Sequence, residues 1–235
     1  MDNAEIARQF ITLTTAHLAD ACIRADLSVR CAPAALQSVL ENGRVAGRVV
    51  PAQHSGSVDI FLEAINTTDH GDVLVVDNAG RTDEACVGDL VIHEAHAAGL
   101  GGVVIWGLHR DHADITSIGL PLFSMGTIPM GPVGLRPRPE DALIWASVGE
   151  YRVSRDDLVF ADDDGVLFVS ADRIEEVFSL AESIRDTERH QADQIRSGKT
   201  LRDQLHFDEY LAKRRTNPDL GLREHLRSVG GAIEV

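Results

Sequence analysis

The sequence is short of positive charge. Of its 235 residues, 22 are Lys or Arg and 37 are Asp or Glu, so the formal net charge is −15. A nucleic-acid surface needs clustered basic side chains to neutralise phosphates, and this composition disfavours such a partner. A small anionic substrate is still compatible with it, because one local arginine outweighs a distant acidic field that salt screens.

Cysteine is rare as well, and the sequence has no long apolar run. Cys22, Cys31 and Cys86 show no paired spacing, which predicts reduced, buried thiols rather than disulfides. The N-terminal residues are acidic, unlike the basic start of a secretory signal. No run approaches the roughly 20 apolar residues of a membrane-spanning helix. We therefore expect a cytoplasmic protein without a membrane partner.

The length permits a full hydrophobic core, as one large domain or as one domain with an appendage. A long amphipathic helix is predicted over residues 172–196, and Gly198 ends it. We therefore divide the chain into an α/β domain of residues 1–197 and a helical C-terminal extension of residues 198–235. The extension is too small to fold alone, so we expect it to dock on its own domain or on a neighbouring subunit.

Apolar periodicity and turn residues predict the other elements. Helices are predicted over residues 2–40, where Pro33 opens a short third helix, and Ser57 is expected to be the N-cap of another. Strands are predicted over residues 45–52, 122–125, 145–153, 158–161 and 166–169.

The centre of the sequence contains a βαβ unit. Residues 73–76 form a short apolar strand, and residues 103–106 form a second one after a Gly-rich turn. Between them, four apolar residues recur at helical spacing: Leu90, Val91, Ala95 and Ala98. Two strands joined by a helix within about forty residues are predicted to be parallel.

Polar residues collect at the junctions of this unit. They are Asp77 and Asn78 after the first strand, Gly88 and Asp89 at the helix start, and His109, Arg110 and Asp111 after the second strand. In open α/β sheets, ligands bind at the carboxyl ends of strands, and a helix N-terminus offers free N–H groups to an anion. Arg110 is suited to a bidentate grip on a carboxylate, and Asp111 is a hard oxygen ligand for Mg²⁺ or Mn²⁺.

This arrangement predicts a small anionic ligand beside a divalent metal ion. The alternative is that Arg110 and Asp111 only cap a loop and pair with each other or with solvent. His109 and His112 flank this pair, and either is a candidate proton carrier in the pocket.

The same stretch resembles a known family. The pattern is Gly-Asp, an apolar strand, Asp-Asn-x-Gly, then Gly-Asp-Leu opening a helix, and finally a Gly-rich segment ending in Arg-Asp. It resembles the RraA-like proteins, which include the regulator of ribonuclease E activity A and the class II 4-hydroxy-4-methyl-2-oxoglutarate/4-carboxy-4-hydroxy-2-oxoadipate aldolases. In these aldolases an Asp is followed by twenty residues and then Arg-Asp, the spacing of Asp89 and Arg110-Asp111 here. The resemblance runs from about Thr15 to Arg196.

The resemblance implies an α/β fold of the β/β/α swivelling type, with a central parallel or mixed sheet. It also implies a ring-shaped homotrimer or homohexamer whose sites lie near subunit boundaries. The extension after Gly198 is longer than in many members and leaves substrate and assembly open.

The resemblance further implies roles for particular residues. Arg110 would hold the pyruvyl end of the substrate, and Asp111 would bind Mg²⁺ or Mn²⁺ directly. The substrate carboxylate would be bound by backbone N–H groups of the helix start, which comprises Gly88, Asp89, Leu90 and Val91. Asp89 would also hold water bound to the metal. Glu188 is the candidate for an acidic residue that a neighbouring subunit contributes to the metal through water.

The activity implied is that of a divalent-metal-dependent lyase, an aldolase or decarboxylase. It would cleave a C–C bond in a 2-keto acid, such as 4-hydroxy-4-methyl-2-oxoglutarate or oxaloacetate, and release pyruvate through a stabilised enolate. The alternative is a non-catalytic regulator that binds a protein partner such as a ribonuclease. Regulators of that type lack the Asp after the Arg, so Asp111 favours the enzyme.

Overall fold

The structure, a computed structural model, describes residues 1–229. The helices are α1 (Asn3–Phe10), α2 (Thr15–Arg24), α3 (Asp59–Ile65), α4 (Asp89–Ala97), α5 (His112–Ile118), α6 (Ile174–Arg196), α7 (Leu201–Gln204), α8 (Phe207–Thr216) and α9 (Leu222–Val229). The strands are β1 (Arg30–Cys31), β2 (Gln37–Ser38), β3 (Val45–Gln53), β4 (Val73–Asp77), β5 (Ala85–Val87), β6 (Gly102–Trp106), β7 (Leu108–His109), β8 (Leu122–Ser124), β9 (Trp145–Val148), β10 (Tyr151–Ser154), β11 (Asp157–Asp162) and β12 (Gly165–Ser170).

Eight strands form one mixed, curled sheet in the order β1-β12-β11-β3-β4-β6-β8-β2. The inner strands β3, β4, β6 and β8 are parallel, whereas β11 and β12 join them as antiparallel neighbours. Val73 pairs with Gly102 and Asp77 with Trp106, so β4 and β6 end at the same edge of the sheet. The predicted parallel βαβ unit is confirmed, and with it the α/β class.

Apolar side chains form three buried groups around the sheet. Helices α3, α4 and α5 cover one face of the parallel strands through residues such as Phe61 and Ile92. Helices α1, α2 and α6 cover the antiparallel strands through residues such as Phe10 and Phe178. The third group lies between the opposite sheet face and the β9–β10 hairpin, where Phe123 is fully buried. The sheet is therefore held on both faces, and its strand ends are fixed relative to each other.

Some local expectations are wrong. Pro33 does not open a helix: it lies in a turn closed by a hydrogen bond from Leu36 N to its carbonyl, between the short strands β1 and β2. Val58, not Ser57, is the N-cap of α3. Within the predicted helix α4, Val91 and Ala95 are buried, whereas Leu90 and Ala98 are exposed at its two ends.

The extension is helical, as predicted. The rings of Tyr210 and His225 lie 5.5 Å apart, and Leu226 is buried beside them. Gln204 Nε2 donates to the carbonyl of Gln191 and ties the extension to the end of α6. The division at residues 197 and 198 stays a prediction, and residues 230–235 of the extension lie outside the described residues. Within residues 1–229, every helix is too short or too polar to cross a bilayer.

Phe160 provides a test of the antiparallel half of the core. Its ring is fully buried on β11 and meets Phe10 and Phe178 edge-on, with centroids 5.3 and 5.7 Å away. Replacing it by Ala leaves a cavity between the sheet and two helices, so Phe160→Ala is expected to lower the free energy of unfolding by about 3–5 kcal/mol. Urea denaturation measures this. The matched control Ile11→Ala, at a position 71% exposed, should cost less than about 0.5 kcal/mol. Equal effects of the two changes would contradict this packing.

Candidate functional site

A cavity of about 700 Å³ opens where the parallel strands end. Its walls are the end of β5, the first turns of α4, the segment after β3, Arg110 and Pro132. Of the residues singled out from the sequence, Gly88, Asp89, Leu90, Val91 and Arg110 line it.

Two glycines border the Arg110 side chain. A Cβ atom on Gly131 would lie 2.7 Å from Arg110 Nη1, and one on Gly88 would lie 3.3 Å from Arg110 Nε. The backbone N–H of Arg110 donates to the carbonyl of Val87 (3.0 Å), which fixes the chain direction there. The side chain is half exposed. The guanidinium is thus held at the cavity wall and is accessible to an anion.

Asp111 lies against the start of α4. Its backbone is in the left-handed region (φ 59°, ψ 41°), which Asp tolerates better than most residues, and it is the N-cap of α5. A Cβ on Gly88 would lie only 2.5 Å from Asp111 Oδ2, so the carboxylate in this position leaves no room for a side-chain carbon at residue 88. Arg110 Nε lies 3.3 Å from the same oxygen. The carboxylate, the guanidinium and the helix start therefore form one cluster.

The N-terminus of α4 is suited to an anion. Gly88 is its N-cap and offers no side-chain hydrogen bond, so the N–H groups of the first turn lack a cap. Such groups have no acceptor within the helix and carry the positive end of its dipole. Leu90, 77% exposed, projects at the cavity mouth. The first turn can therefore bind a carboxylate beside an apolar surface.

The donor set determines which metal the site suits. Within residues 1–229, no three His, Cys, Asp or Glu side chains are grouped so as to hold a metal ion. Asp111 and Asp89 provide hard carboxylate oxygens at the cluster. Mg²⁺ keeps several waters and commonly binds through one or two carboxylates. The residues present fit that mode, and among the described residues they do not form a site made of protein ligands alone.

Four predicted residues are not among those that line the cavity: Asp111, which lies against Gly88 and Arg110, and Glu188, His109 and His112. Glu188 Oε2 is 3.1 Å from His17 Nε2, away from Arg110 within one chain. His109 is buried, with Nδ1 2.7 Å from Ser124 Oγ and Nε2 3.0 Å from His112 Nδ1. Burial, followed by the neighbouring His112, lowers the pKa of His109 to about 4. Neither His109 nor His112 lines the cavity, and a proton carrier at either position stays a prediction.

The structure places a different histidine in the cavity wall, one that the sequence analysis missed. His54 follows β3, and its ring stacks on Phe61 with centroids 5.3 Å apart and planes at 12°. His54 Nδ1 is 2.9 Å from Asn78 Oδ1. The only signal in the sequence was its position next to a predicted strand that precedes the βαβ unit.

Buried polar groups continue behind Asn78. Arg136 Nη2 donates to Asn78 Oδ1 (3.4 Å), and Arg136 Nη1 donates to Glu84 Oε1 (2.9 Å). The Glu84 side chain is only 4% exposed. A line of hydrogen bonds therefore runs from a buried carboxylate through Arg136 and Asn78 to the imidazole of His54.

Fold and site together define an α/β protein with a cavity at the ends of its parallel strands, lined by a guanidinium and an uncapped helix start. The chain belongs to the RraA-like family, described as Aldolase/RraA, whose sequence profile matches residues 15–168.

Relatives in this family carry different names. Protein DlpA of Legionella pneumophila is 36% identical over 129 residues, which are 55% of this chain and 21% of DlpA, so the match spans about a fifth of that protein. A Bacillus anthracis protein named "Putative 4-hydroxy-4-methyl-2-oxoglutarate aldolase" is 26% identical over 121 residues, which are 52% of this chain and 75% of that protein.

A solved structure shows the same fold. Streptomyces coelicolor RraAS2, titled an unusual member of the RNase ES inhibitor RraA protein family, superposes with a TM-score of 0.69. It is 24% identical, and the match covers 79% of this chain and 94% of that one. The predicted RraA-like fold is confirmed.

The hydrogen bond between His54 and Asn78 predicts the protonation state and tautomer of His54, and both can be tested without an activity assay. Burial lowers the pKa of His54 below its ordinary value, so the ring is expected to be neutral at pH 7 with its proton on Nδ1. Long-range ¹H–¹⁵N correlation spectra across pH 4–8 report both properties. A titration midpoint below that of an ordinary histidine (about 6.5) and an Nδ1–H tautomer are expected. An Nε2–H tautomer at neutral pH would contradict the hydrogen-bond assignment.

Proposed function

We propose that this protein is a divalent-metal-dependent lyase that cleaves a C–C bond in a 2-keto acid and releases pyruvate. The observation that carries the proposal is that Arg110 and the uncapped start of α4 line one cavity, while the Asp111 carboxylate lies against both of them at Gly88. The aldolase name of the Bacillus anthracis relative supports the same chemistry.

The site matches the polar end of a 2-keto acid. The substrate carboxylate accepts hydrogen bonds from the N–H groups of Asp89, Leu90 and Val91, where the helix dipole favours negative charge. The Arg110 guanidinium donates to the pyruvyl oxygens. The exposed apolar side chains of Leu62 and Leu90 line the remaining cavity and exclude water from the reacting carbons.

Asp111 is the direct ligand proposed for Mg²⁺ or Mn²⁺, and Asp89 holds water of the ion's coordination shell. When bound, the ion supplies Lewis-acid polarisation of the 2-keto oxygen and stabilises negative charge there. Arg110 adds a fixed positive charge for the pyruvate enolate. Decarboxylation of oxaloacetate produces the same enolate, so 4-hydroxy-4-methyl-2-oxoglutarate and oxaloacetate are both proposed substrates.

We further propose that the protein acts as a homotrimer or homohexamer in the cytoplasm. Apolar side chains around the cavity are exposed in one chain, including Val58, Val133 and Leu135, and a second copy would cover them. The neighbouring subunit would bring Glu188, itself 54% exposed, towards the metal water. The three cysteines are free, consistent with a reducing compartment, although Cys31 is exposed and not buried as expected.

Removal of either charged group at the cluster tests the chemistry. Arg110→Gln and Asp111→Asn are each expected to lower kcat for pyruvate release by at least about 100-fold. The first removes the positive charge that stabilises the enolate, and the second removes the proposed direct ligand of the ion that does the same. Coupled lactate dehydrogenase assays with both substrates measure this, with Mn²⁺ present and after chelation. The matched control Asp114→Asn lies three residues further on α5, is exposed and does not line the cavity, so it should keep wild-type rates. A folded, metal-loaded wild type that releases no pyruvate would contradict the lyase assignment and favour the alternative of a non-catalytic regulator.

If two subunits share each site, variants of the two contributing residues should complement each other in one oligomer. Glu188→Gln and Asp111→Asn chains should each be nearly inactive alone, whereas co-expressed mixtures should regain activity. A mixed oligomer contains some sites with an intact Asp111 from one chain and an intact Glu188 from its neighbour. Activity of the co-purified mixture and native mass spectrometry measure the two requirements. A monomeric mass, or a mixture as inactive as its parents, would contradict the shared site.

A further inference from the structure

We propose that His54 is the base that removes the proton from the 4-hydroxyl group of the substrate during aldol cleavage. This inference rests on the proposed function and adds a residue to it. His54 lines the same cavity as Arg110 and the start of α4, but it lies on a different wall, after β3. A substrate bound by its pyruvyl end at Arg110 extends its C4 carbon into the cavity that His54 faces.

The ring of His54 is held in one orientation. Phe61 stacks on its face, and Asn78 binds Nδ1 from behind. Asn78 is buried and is not part of the cavity wall. Nδ1 therefore points into the protein, and the opposite atom, Nε2, is the one directed to the cavity. In the part of the chain that the structure describes, Nε2 has no hydrogen-bond partner.

The groups behind His54 determine which nitrogen carries its proton. Arg136 donates to Asn78 Oδ1, and the same oxygen faces His54 Nδ1. The opposite amide orientation would turn Asn78 Nδ2 towards a guanidinium that has only hydrogens to offer. Oδ1 consequently accepts from Nδ1–H, and Nε2 keeps its lone pair. In this amide orientation Asn78 Nδ2 is buried without a hydrogen-bond partner among the described residues, which costs free energy of folding.

The groups around the ring keep the imidazole of His54 neutral at pH 7. Burial and the cations Arg136 and Arg81 lower the pKa of His54, whereas Asn78 and Glu84 act in the opposite direction. The net shift is downward, so His54 is unprotonated at pH 7 and available to accept a proton.

The proton balance of the reaction is complete with this one residue. Nε2 takes the proton of the 4-hydroxyl, the C4–O bond becomes a carbonyl, and the C3–C4 bond breaks with its electron pair moving to C3 and the 2-keto oxygen. The products are a ketone and the pyruvate enolate. The imidazolium then returns the same proton to C3 and gives pyruvate. No oxidant, reductant or second acid is needed.

Two substrates of the same site separate this role from a structural one. Oxaloacetate loses CO₂ from a carboxylate and has no hydroxyl proton to remove, so its decarboxylation does not need the base. His54→Gln is expected to lower kcat for cleavage of 4-hydroxy-4-methyl-2-oxoglutarate by about 100-fold or more. Its kcat for oxaloacetate decarboxylation should stay within about threefold of wild type. His96→Gln, at an exposed histidine of α4 that does not line the cavity, is the matched control and should leave both rates near wild type.

A second variant leaves the imidazole in place. Asn78→Asp puts a carboxylate beside Nδ1, which stabilises the imidazolium and raises the pKa of His54. The acidic limb of kcat/KM for cleavage should therefore move to higher pH, while that for decarboxylation should not move with it.

Each outcome decides the proposal. Selective loss of cleavage in His54→Gln, or a selective shift of the pH profile in Asn78→Asp, supports the base. Equal loss of both reactions, or no loss in either, overturns it. A wild type that decarboxylates oxaloacetate but never cleaves the hydroxy acid also overturns it and leaves the proposed lyase standing. A wild type inactive on both substrates overturns the proposed function itself.

Discussion

The close approach of three groups at Gly88 is the constraint on which the site depends. Asp111 Oδ2 would lie 2.5 Å from a side-chain carbon at this position, and Arg110 Nε would lie 3.3 Å from it. A side-chain carbon at residue 88 would displace the Asp111 carboxylate and crowd the Arg110 guanidinium, whereas glycine leaves both groups against the start of the helix. The same glycine leaves the helix without a side-chain cap, so its N–H groups are open to a ligand. The absence of a side chain at residue 88 thus makes room for the charged pair and leaves the first turn of α4 without a cap.

The parallel strands keep this cluster in place. β4 and β6 pair in register along their whole length, and buried valines and leucines fix both. His54 and Asn78 follow the ends of β3 and β4 in this sheet, whereas Arg110 follows β7, which comes directly after β6 and pairs with β5. Strand pairing therefore positions all three residues at the cavity, as preorganised electrostatic stabilisation requires.

Local patterns predicted the parts of this arrangement that are close in sequence. The apolar runs identified β4 and β6, and the Gly-Asp and Arg-Asp pairs identified Gly88, Asp89, Arg110 and Asp111. The buried hydrogen bonds behind His54 were beyond such reasoning, because Arg136 and Glu84 are 52 positions apart and meet only in the folded chain. Pro33 was assigned to a helix because the pairing of β1 and β2 with distant strands has no local signal.

The central claim is that Arg110, Asp111 and the start of α4 bind the pyruvyl group of a 2-keto acid beside a divalent ion. A crystal structure of the protein with Mn²⁺ and pyruvate tests it most directly, with anomalous scattering to locate the ion. The account predicts an anomalous peak at the carboxylate of Asp111, with the pyruvate carboxylate on the N–H groups of Asp89 to Val91 and on Arg110. Manganese elsewhere, or pyruvate bound away from Gly88, would contradict it.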